Sequence, residues 1–226
     1  MRNPEWPADR KGARFNMIYA IPVRGRFETN CYFYVDDGTK RCFLIDPGAE
    51  GRRLLDVARD NGWMIERILL THGHFDHMGG IPEIRRSHDI LVYAFENADQ
   101  YLLDPVKNLS RYCGPDITIP DVQYFHDGDE IRFAESSGLG LKVLHTPGHT
   151  EDSVVFYSES EKAAFVGDTI FKGSIGSTAY PGGNARDLKE SIEQRIFTLP
   201  DDTTLLSGHS DPTTVQAEKR HLSYCG

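Results

Sequence analysis

The stretch Thr71–Gly80 reads THGHFDHMGG and decides how the rest of the chain is interpreted. It contains His72, His74, Asp76 and His77, four side chains that can each donate a lone pair to a divalent metal ion once deprotonated. In an extended segment, residues two apart point the same way, so the first three can converge while His77 turns aside. The stretch therefore predicts two neighbouring metal sites, and the alternative is a solvated polar loop that is rich in histidine.

Three further candidate ligands follow apolar, strand-like runs later in the chain. They are His149, Asp168 and His209, and each is directly preceded by a glycine. Glycine lets the backbone turn tightly and approach an ion closely. Because strands that end at one sheet edge bring their loops together, we expect these three side chains to meet those of the THGHFDHMGG stretch.

Length and composition predict a soluble globular protein. The 226 residues are 39% hydrophobic and 26% charged, and we expect a single domain over residues 1–226. No apolar run approaches the ~20 residues that span a bilayer, and the N-terminus has charges and prolines where a signal peptide would need an apolar segment, so we expect a cytoplasmic protein without a membrane partner. A net charge of -9 argues against a surface that binds nucleic acid, so we expect the partner to be a small-molecule substrate. The four cysteines lack CxxC spacing, which indicates reduced thiols.

The order of apolar runs and turn signals predicts an α/β protein. We predict strands at Phe15–Val23, Asn30–Val35, Arg41–Ile45, Arg67–Leu70, Ile90–Tyr93, Val122–Phe125, Glu130–Phe133, Leu139–Leu144, Ser153–Tyr157, Ala163–Val166 and Thr203–Leu206. We predict helices at 54–61, Gly79–His88, Phe95–Leu103, Asp187–Leu199 and Thr213–His221. Prolines and glycines divide the segment 95–120 into loops or short helical pieces.

Taken together, the HxHxDH run, the TPGHT around His149, the GDTIF around Asp168 and the SGHS around His209 resemble the metallo-β-lactamase superfamily. The resemblance extends from about Asn16 to His221, with all motifs in the family's order. FLIDPG at Phe43–Gly48 and GDTIFKGSIG at Gly167–Gly176 resemble its glyoxalase II-like branch of hydroxyacylglutathione hydrolases. The resemblance implies an αββα sandwich, in which two mixed sheets pack face to face with helices on the outer faces.

The resemblance also implies a dinuclear centre. One ion would be held by His72, His74 and His149, the other by Asp76, His77 and His209, and Asp168 would bridge them. Zinc is the expected metal, with iron or manganese as alternatives. Hydroxide supplied by the ions would attack a carbonyl, with Asp76 as the catalytic residue that orients the nucleophile or moves its proton. Asp46 is expected either to orient a ligand histidine or to be a plain turn residue.

Thioesters are the expected substrates, because a thiolate leaves without help from a general acid. Di-iron oxygen reductases on this fold usually have glutamate where this chain has His74, and true metallo-β-lactamases often have cysteine at the position of Asp168. A mononuclear-iron persulfide dioxygenase, using His72, His149 and Asp168, is the alternative enzyme. A metal-binding scaffold without catalysis is the third hypothesis.

The substrate contacts are expected to differ from those of glyoxalase II proper, which binds glutathione with a helical C-terminal region. Only residues 210–226 follow His209. Ser177 stands where the family often has an arginine, and Lys172 and Arg186 are candidate replacements for that charge, with solvated surface positions as the alternative. Tyr180 is expected to line the pocket or to donate a hydrogen bond, and the alternative is a buried structural tyrosine.

Overall fold

A computed structural model of the chain describes residues 16–134 and 139–223. Its strands are β1 (Asn16–Arg24), β2 (Glu28–Asp36), β3 (Arg41–Ile45), β4 (Met64–Leu69), β5 (Leu91–Phe95), β6 (Gln123–Phe125), β7 (Glu130–Arg132), β8 (Gly140–His145), β9 (Val154–Ser158), β10 (Ala163–Gly167), β11 (Ile170–Phe171), β12 (Ser174–Ile175), β13 (Thr204–Ser207) and β14 (Thr213–Thr214). Its α-helices are α1 (Gly51–Asp60), α2 (Phe75–Met78), α3 (Ile81–Arg85), α4 (Asp99–Leu102), α5 (Ser110–Cys113), α6 (Ala185–Ser191) and α7 (Val215–Ser223).

Two mixed six-stranded sheets form the body of the fold. The first has the order β1-β2-β3-β4-β5-β6, antiparallel up to β3 and parallel from β3 onwards. The second has the order β14-β13-β10-β9-β8-β7, in which only β10 and β13 are parallel neighbours. A separate hairpin pairs β11 with β12.

Each sheet is buried on both faces, and strand β2 shows why. Successive side chains of a strand point to opposite faces. Tyr32 and Tyr34 therefore enter the cluster between the two sheets, whereas Cys31, Phe33 and Val35 enter the cluster beneath α1 and α3. A third cluster joins the outer face of the second sheet to α6 and the turn that follows it. Three stacked apolar layers confirm the predicted αββα sandwich.

The two sheets are joined by hydrogen bonds at one edge. Strands β8, β10 and β13 run in the same direction, so their carboxyl ends meet there. The backbone N–H of Asn30 and the hydroxyl of Tyr32 donate to the carbonyls of Gly208 and Ser207, at 2.7 Å each. This edge carries the loops of the predicted metal ligands.

Several predicted helix boundaries were wrong. The predicted helix over Gly79–His88 shortens to α3, because Gly79 and Gly80 form a turn in which the Gly80 N–H donates to the Pro47 carbonyl, and the separate short helix α2 precedes that turn. The predicted helix over Asp187–Leu199 is α6 followed by a π-helical turn, Ile192–Ile196. Thr213 pairs with β13 before α7 begins.

The predicted helix over Phe95–Leu103 shortens to α4, and Phe15, where the first predicted strand begins, lies outside the described residues. None of the helices that the structure describes has the length and apolar character needed to cross a bilayer.

Candidate metal centre

All seven side chains predicted as ligands lie together at the edge where the sheets are joined. They are carried by the loop and short helix after β4, the turn between β8 and β9, and the loops after β10 and β13. They are His72, His74, Asp76, His77, His149, Asp168 and His209.

The first set consists of three buried imidazoles whose nitrogens face one another. The Nδ1 of His74 lies 3.1 Å from the Nε2 of His72 and 3.0 Å from the Nε2 of His149. Three nitrogens bound tetrahedrally at 2.0–2.1 Å to one zinc ion would lie about 3.3–3.4 Å apart. The observed spacing therefore fits a single ion held by all three.

The second set lies beside the first and includes a carboxylate. The Nε2 of His209 lies 3.2 Å from Oδ2 of Asp76 and 3.4 Å from the Nε2 of His77. These ligand atoms all lie within 4.8 Å of one another. The set offers two imidazoles and one carboxylate, a donor combination that suits zinc, iron or manganese.

Asp168 lies between the two sets. Its Oδ1 is 3.3 Å from the Nε2 of His77, and its Oδ2 is 3.4 Å from the Nε2 of His209 and 3.7 Å from that of His149. Oδ1 is buried and accepts no hydrogen bond of good geometry from the described residues, which fits an oxygen that a cation would satisfy. A Cβ on Gly208 would lie 2.5 Å from this oxygen, so glycine is required there.

The outward nitrogens of two histidines donate to backbone carbonyls. His149 Nδ1 lies 2.7 Å from the oxygen of Ser177, and His209 Nδ1 lies 2.9 Å from the oxygen of Glu28. A carbonyl only accepts, so both Nδ1 atoms carry a proton, and both Nε2 atoms point inward, where each can ligate a metal ion once deprotonated. These hydrogen bonds prepare the two rings for metal ligation.

Asp46 organises the loop that carries the other histidines. Its carboxylate accepts hydrogen bonds from the Thr71 backbone N–H at 2.8 Å and from the Thr71 hydroxyl at 2.6 Å. It also lies 3.0 Å from His77 Nδ1, while Thr71 Oγ1 lies 3.2 Å from His72 Nδ1. Asp46 is buried and has φ of 51°, a left-handed conformation that aspartate tolerates better than most residues. The geometry is that expected of a residue that orients ligands.

The protonation states divide the cluster in two. Burial, assisted by neighbouring imidazoles, lowers the pKa of His72 well below its usual value and that of His74 to about 3. Burial also opposes protonation of His77 and His209, but the carboxylates that face them outweigh it, raising the pKa of His77 and bringing that of His209 to about 10. The histidines of the first set are thus neutral at pH 7. In the second set, the carboxylates stabilise the protonated, positively charged histidines, and they would stabilise a metal cation in the same way.

Two tyrosines border the cluster. Tyr180 is 46% exposed, and its ring centroid lies 6.0 Å from that of His74 and 6.5 Å from that of His149. This position, at the open side of the first set, rules out the buried structural role. Tyr101 is buried, and its ring centroid lies 6.2 Å from that of His74. Sequence reasoning missed Tyr101, because it lies in the poorly patterned segment 95–120.

That segment supports the metal loop through backbone contacts. The N–H of Phe75, at the start of α2, donates to the carbonyl of Asn108, and the Asn108 side chain is itself buried and hydrogen-bonded. His145, by contrast, has a structural position away from the cluster: its ring stacks on Phe95 with centroids 4.2 Å apart.

Comparisons with known proteins agree with this geometry. A family model described as the metallo-beta-lactamase superfamily matches residues 24–209. The "Probable metallo-hydrolase YqgX" of Bacillus subtilis is 36% identical over 201 residues, covering 88% of this chain and 92% of its own. The "Hydroxyacylglutathione hydrolase GloC" of Haemophilus influenzae is 32% identical over 206 residues, covering 90% and 95%.

Solved structures show the same similarity. BLEG-1, described as a B3 metallo-beta-lactamase, has a TM-score of 0.84 and 34% identity, covering 92% of this chain and 99% of its own. TTHA1623 in a di-iron-bound form has a TM-score of 0.75 and 31% identity, covering 89% and 98%. ETHE1 from Myxococcus xanthus has a TM-score of 0.72 and 28% identity, covering 91% and 82%.

Proposed function

The chain belongs to the metallo-beta-lactamase superfamily, and from that premise we propose that it is a dinuclear metal-dependent hydrolase of thioesters. The observation that carries the proposal is the pair of ligand sets, each of three inward-facing donor atoms, with the Asp168 carboxylate between them. Three protein ligands and a shared carboxylate would hold each ion while leaving room for water, as a catalytic site requires. We propose zinc as the metal, with iron as the alternative suggested by the di-iron form of TTHA1623.

Asp76 is the residue that we propose moves the proton. Two bound divalent ions would polarise the substrate carbonyl and supply a nucleophilic hydroxide near neutral pH. Hydrogen bonding to His209 lowers the pKa of Asp76 despite its burial, so its carboxylate is ionised at neutral pH. An ionised Oδ can accept a hydrogen bond from the attacking water, orient it, and take its proton.

A thioester suits the site because the leaving group needs no acid. A departing thiolate has a parent thiol pKa of about 8.5, whereas an alkoxide or amine would need a protonated partner. GloC, whose name specifies hydroxyacylglutathione hydrolysis, supports the same substrate class.

The test is the initial rate of S-lactoylglutathione hydrolysis by the zinc-loaded protein. We expect Asp168→Ala to reduce the rate at least 100-fold, in keeping with the loss of a shared metal ligand. His88→Ala removes an exposed histidine outside the cluster and should leave the rate unchanged. Absence of Asp168-dependent turnover on any activated thioester would reject the proposal and favour a non-catalytic metal-binding scaffold.

A second enzyme, a mononuclear-iron persulfide dioxygenase, is favoured by the similarity to ETHE1 from Myxococcus xanthus. His72, His149 and Asp168 would hold the iron, and they are a subset of the seven residues gathered here. Oxygen uptake with glutathione persulfide by the iron-loaded protein, in the absence of thioester hydrolysis by the zinc-loaded protein, would select this activity. Nitrocefin hydrolysis in the same assay series would select a β-lactamase instead.

A further inference from the structure

A cavity of about 200 Å³ lies beside Asp76 of the second ligand set. It is bounded by the turn between β1 and β2, the loop after β3, helix α2 and the segment 110–117. Asp76 lines it, so the cavity reaches the residue proposed to move the proton. A group bound there would lie next to the reacting centre.

The turn that forms one wall is fixed against the metal loop. The ring of Phe27 lies 6.0 Å from that of Phe75, the first residue of α2. Glu50 accepts a hydrogen bond from the backbone N–H of Arg24, just before the turn. The backbone at Gly48 approaches Asp76 so closely that a Cβ on that glycine would lie 1.7 Å from the Asp76 carbonyl oxygen. The wall and the catalytic loop therefore keep a defined relative position.

Arg26 is the cation of this cavity. It is exposed, and within residues 16–134 and 139–223 its side chain forms no salt bridge and no hydrogen bond. Lys172 and Arg186, which the sequence suggested as contacts for an anionic substrate group, already form ion pairs. Lys172 pairs with Asp211 at 3.2 Å, and Arg186 pairs with Glu190 at 2.9 Å. Arg26 is thus a guanidinium that can bind a ligand without first breaking an ion pair.

The rest of the lining limits the ligand. The apolar wall consists of Phe75, Ala49, Pro115 and Ile117, and among the residues that the structure describes Asp76 is the one acidic residue that lines the cavity. Two divalent ions would exceed the charge of Asp76 and Asp168 together, so the metal edge would attract an anion as well. The volume equals that of about seven waters at ~30 Å³ each, which admits a short group and excludes a nucleotide.

We propose that this cavity binds the carboxylate-bearing end of the thioester substrate, with Arg26 as the residue that recognises the carboxylate. The inference rests on the proposed hydrolase and names the part of its substrate that determines specificity. Guanidinium is suited to this task, because its planar donors match a carboxylate with two parallel hydrogen bonds. Arg26 would supply a positive charge that the serine at position 177 does not.

The experiment measures binding, without turnover, by titration calorimetry on the zinc-loaded full chain. The probe is S-methylglutathione, a thioether with free carboxylates that the enzyme cannot hydrolyse. Arg26→Ala should weaken its binding roughly three- to ten-fold, since the contact is charged but partly exposed to solvent. Arg26→Lys should recover part of the loss. Arg24→Ala, an exposed arginine on the same hairpin that pairs with Glu28, is the matched control and should bind like the wild type.

Two further probes identify the anion. S-methylglutathione with esterified carboxylates should bind more weakly and equally well to the wild type and to Arg26→Ala. S-methyl-coenzyme A presents phosphates, and Arg26-dependent binding of this probe alone would overturn the carboxylate assignment. Unchanged binding of S-methylglutathione to Arg26→Ala, or no binding to the wild type, would overturn the inference.

The outcome is separable from that of the hydrolase proposal. Arg26-dependent binding without hydrolysis of S-lactoylglutathione would support the carboxylate site and reject the hydrolase proposal. Hydrolysis with Arg26-independent binding would support the hydrolase proposal and reject the carboxylate site. The thermal melting temperature of Arg26→Ala should equal that of the wild type, because the exposed side chain has no partner among the described residues.

Discussion

The Nδ1 of His77 lies 3.0 Å from Oδ2 of Asp46, and both side chains are buried. The contact fixes the ring so that its Nε2 faces the second ligand set. We predict that Asp46→Ala weakens binding of the second metal ion about 10- to 100-fold, the usual effect of losing a residue that orients a ligand. Competition with a fluorescent zinc chelator measures the two affinities.

Asp36→Asn is the control for Asp46→Ala. Asp36 is also a buried carboxylate, but it accepts a hydrogen bond from the Gly38 N–H at a turn far from the cluster. Both variants can lose stability, and only the Asp46 variant should lose metal affinity. Equal zinc affinities in the two variants would show that Asp46 has a purely structural role.

The two ligand sets predict separable losses of metal. His149→Ala removes a ligand of the first set and His209→Ala a ligand of the second, so each should reduce the zinc content by about one ion per chain. Metal analysis after gel filtration measures the content, with His88→Ala as the unaffected control. Loss of both ions in either variant would mean that the sets bind cooperatively as one site.

Tyr180 is predicted to act on the substrate and not on the metal. Its exposed ring stands beside His74 and His149, so Tyr180→Ala should lower kcat/KM about three- to ten-fold, the value of a lost aromatic contact, with unchanged zinc content. Tyr124→Ala, which removes a tyrosine of similar exposure on β6, should have no effect. A fall in zinc content in the Tyr180 variant would contradict this role.

Asp152 predicts a pH dependence of stability. Its side chain is buried, and burial raises its pKa from the usual 3.8 to about 7, although hydrogen bonds from Thr150 and Gly73 oppose the rise. Between these values the folded protein holds a proton that the unfolded chain has lost, so the contribution to stability is complete below the lower pKa and is lost as the pH rises towards 7.

Asp152→Asn removes this titration. The free energy of unfolding of the wild type relative to the variant should fall by roughly 3 kcal/mol between about pH 5 and pH 8. Urea denaturation of the chelator-treated wild type and variant measures this difference. Titrations of other groups occur in both proteins and therefore cancel in the difference. Parallel pH curves for the two proteins would show that Asp152 does not titrate in this range.

The gathering of the ligands could be predicted from the sequence because the signal is local. Histidines and aspartates at the end of apolar runs are rare without a metal, and the carboxyl ends of the strands bring them together. The break between α2 and α3 could not be predicted in this way, since it depends on a hydrogen bond between Gly80 and Pro47, which are 33 positions apart in the sequence. Arg26 was also missed, because a turn arginine has no local pattern that marks it as a binding residue.

The backbone carbonyls of Glu28 and Ser177, which orient His209 and His149, differ from the Asp46 carboxylate in one respect. Every amino acid has such a carbonyl, so positions 28 and 177 can change identity over evolutionary time without loss of the contact. Position 46 has no such freedom. The side chain at 177 is therefore available for selection on substrate preference, and two chains with different residues there can retain the same metal centre.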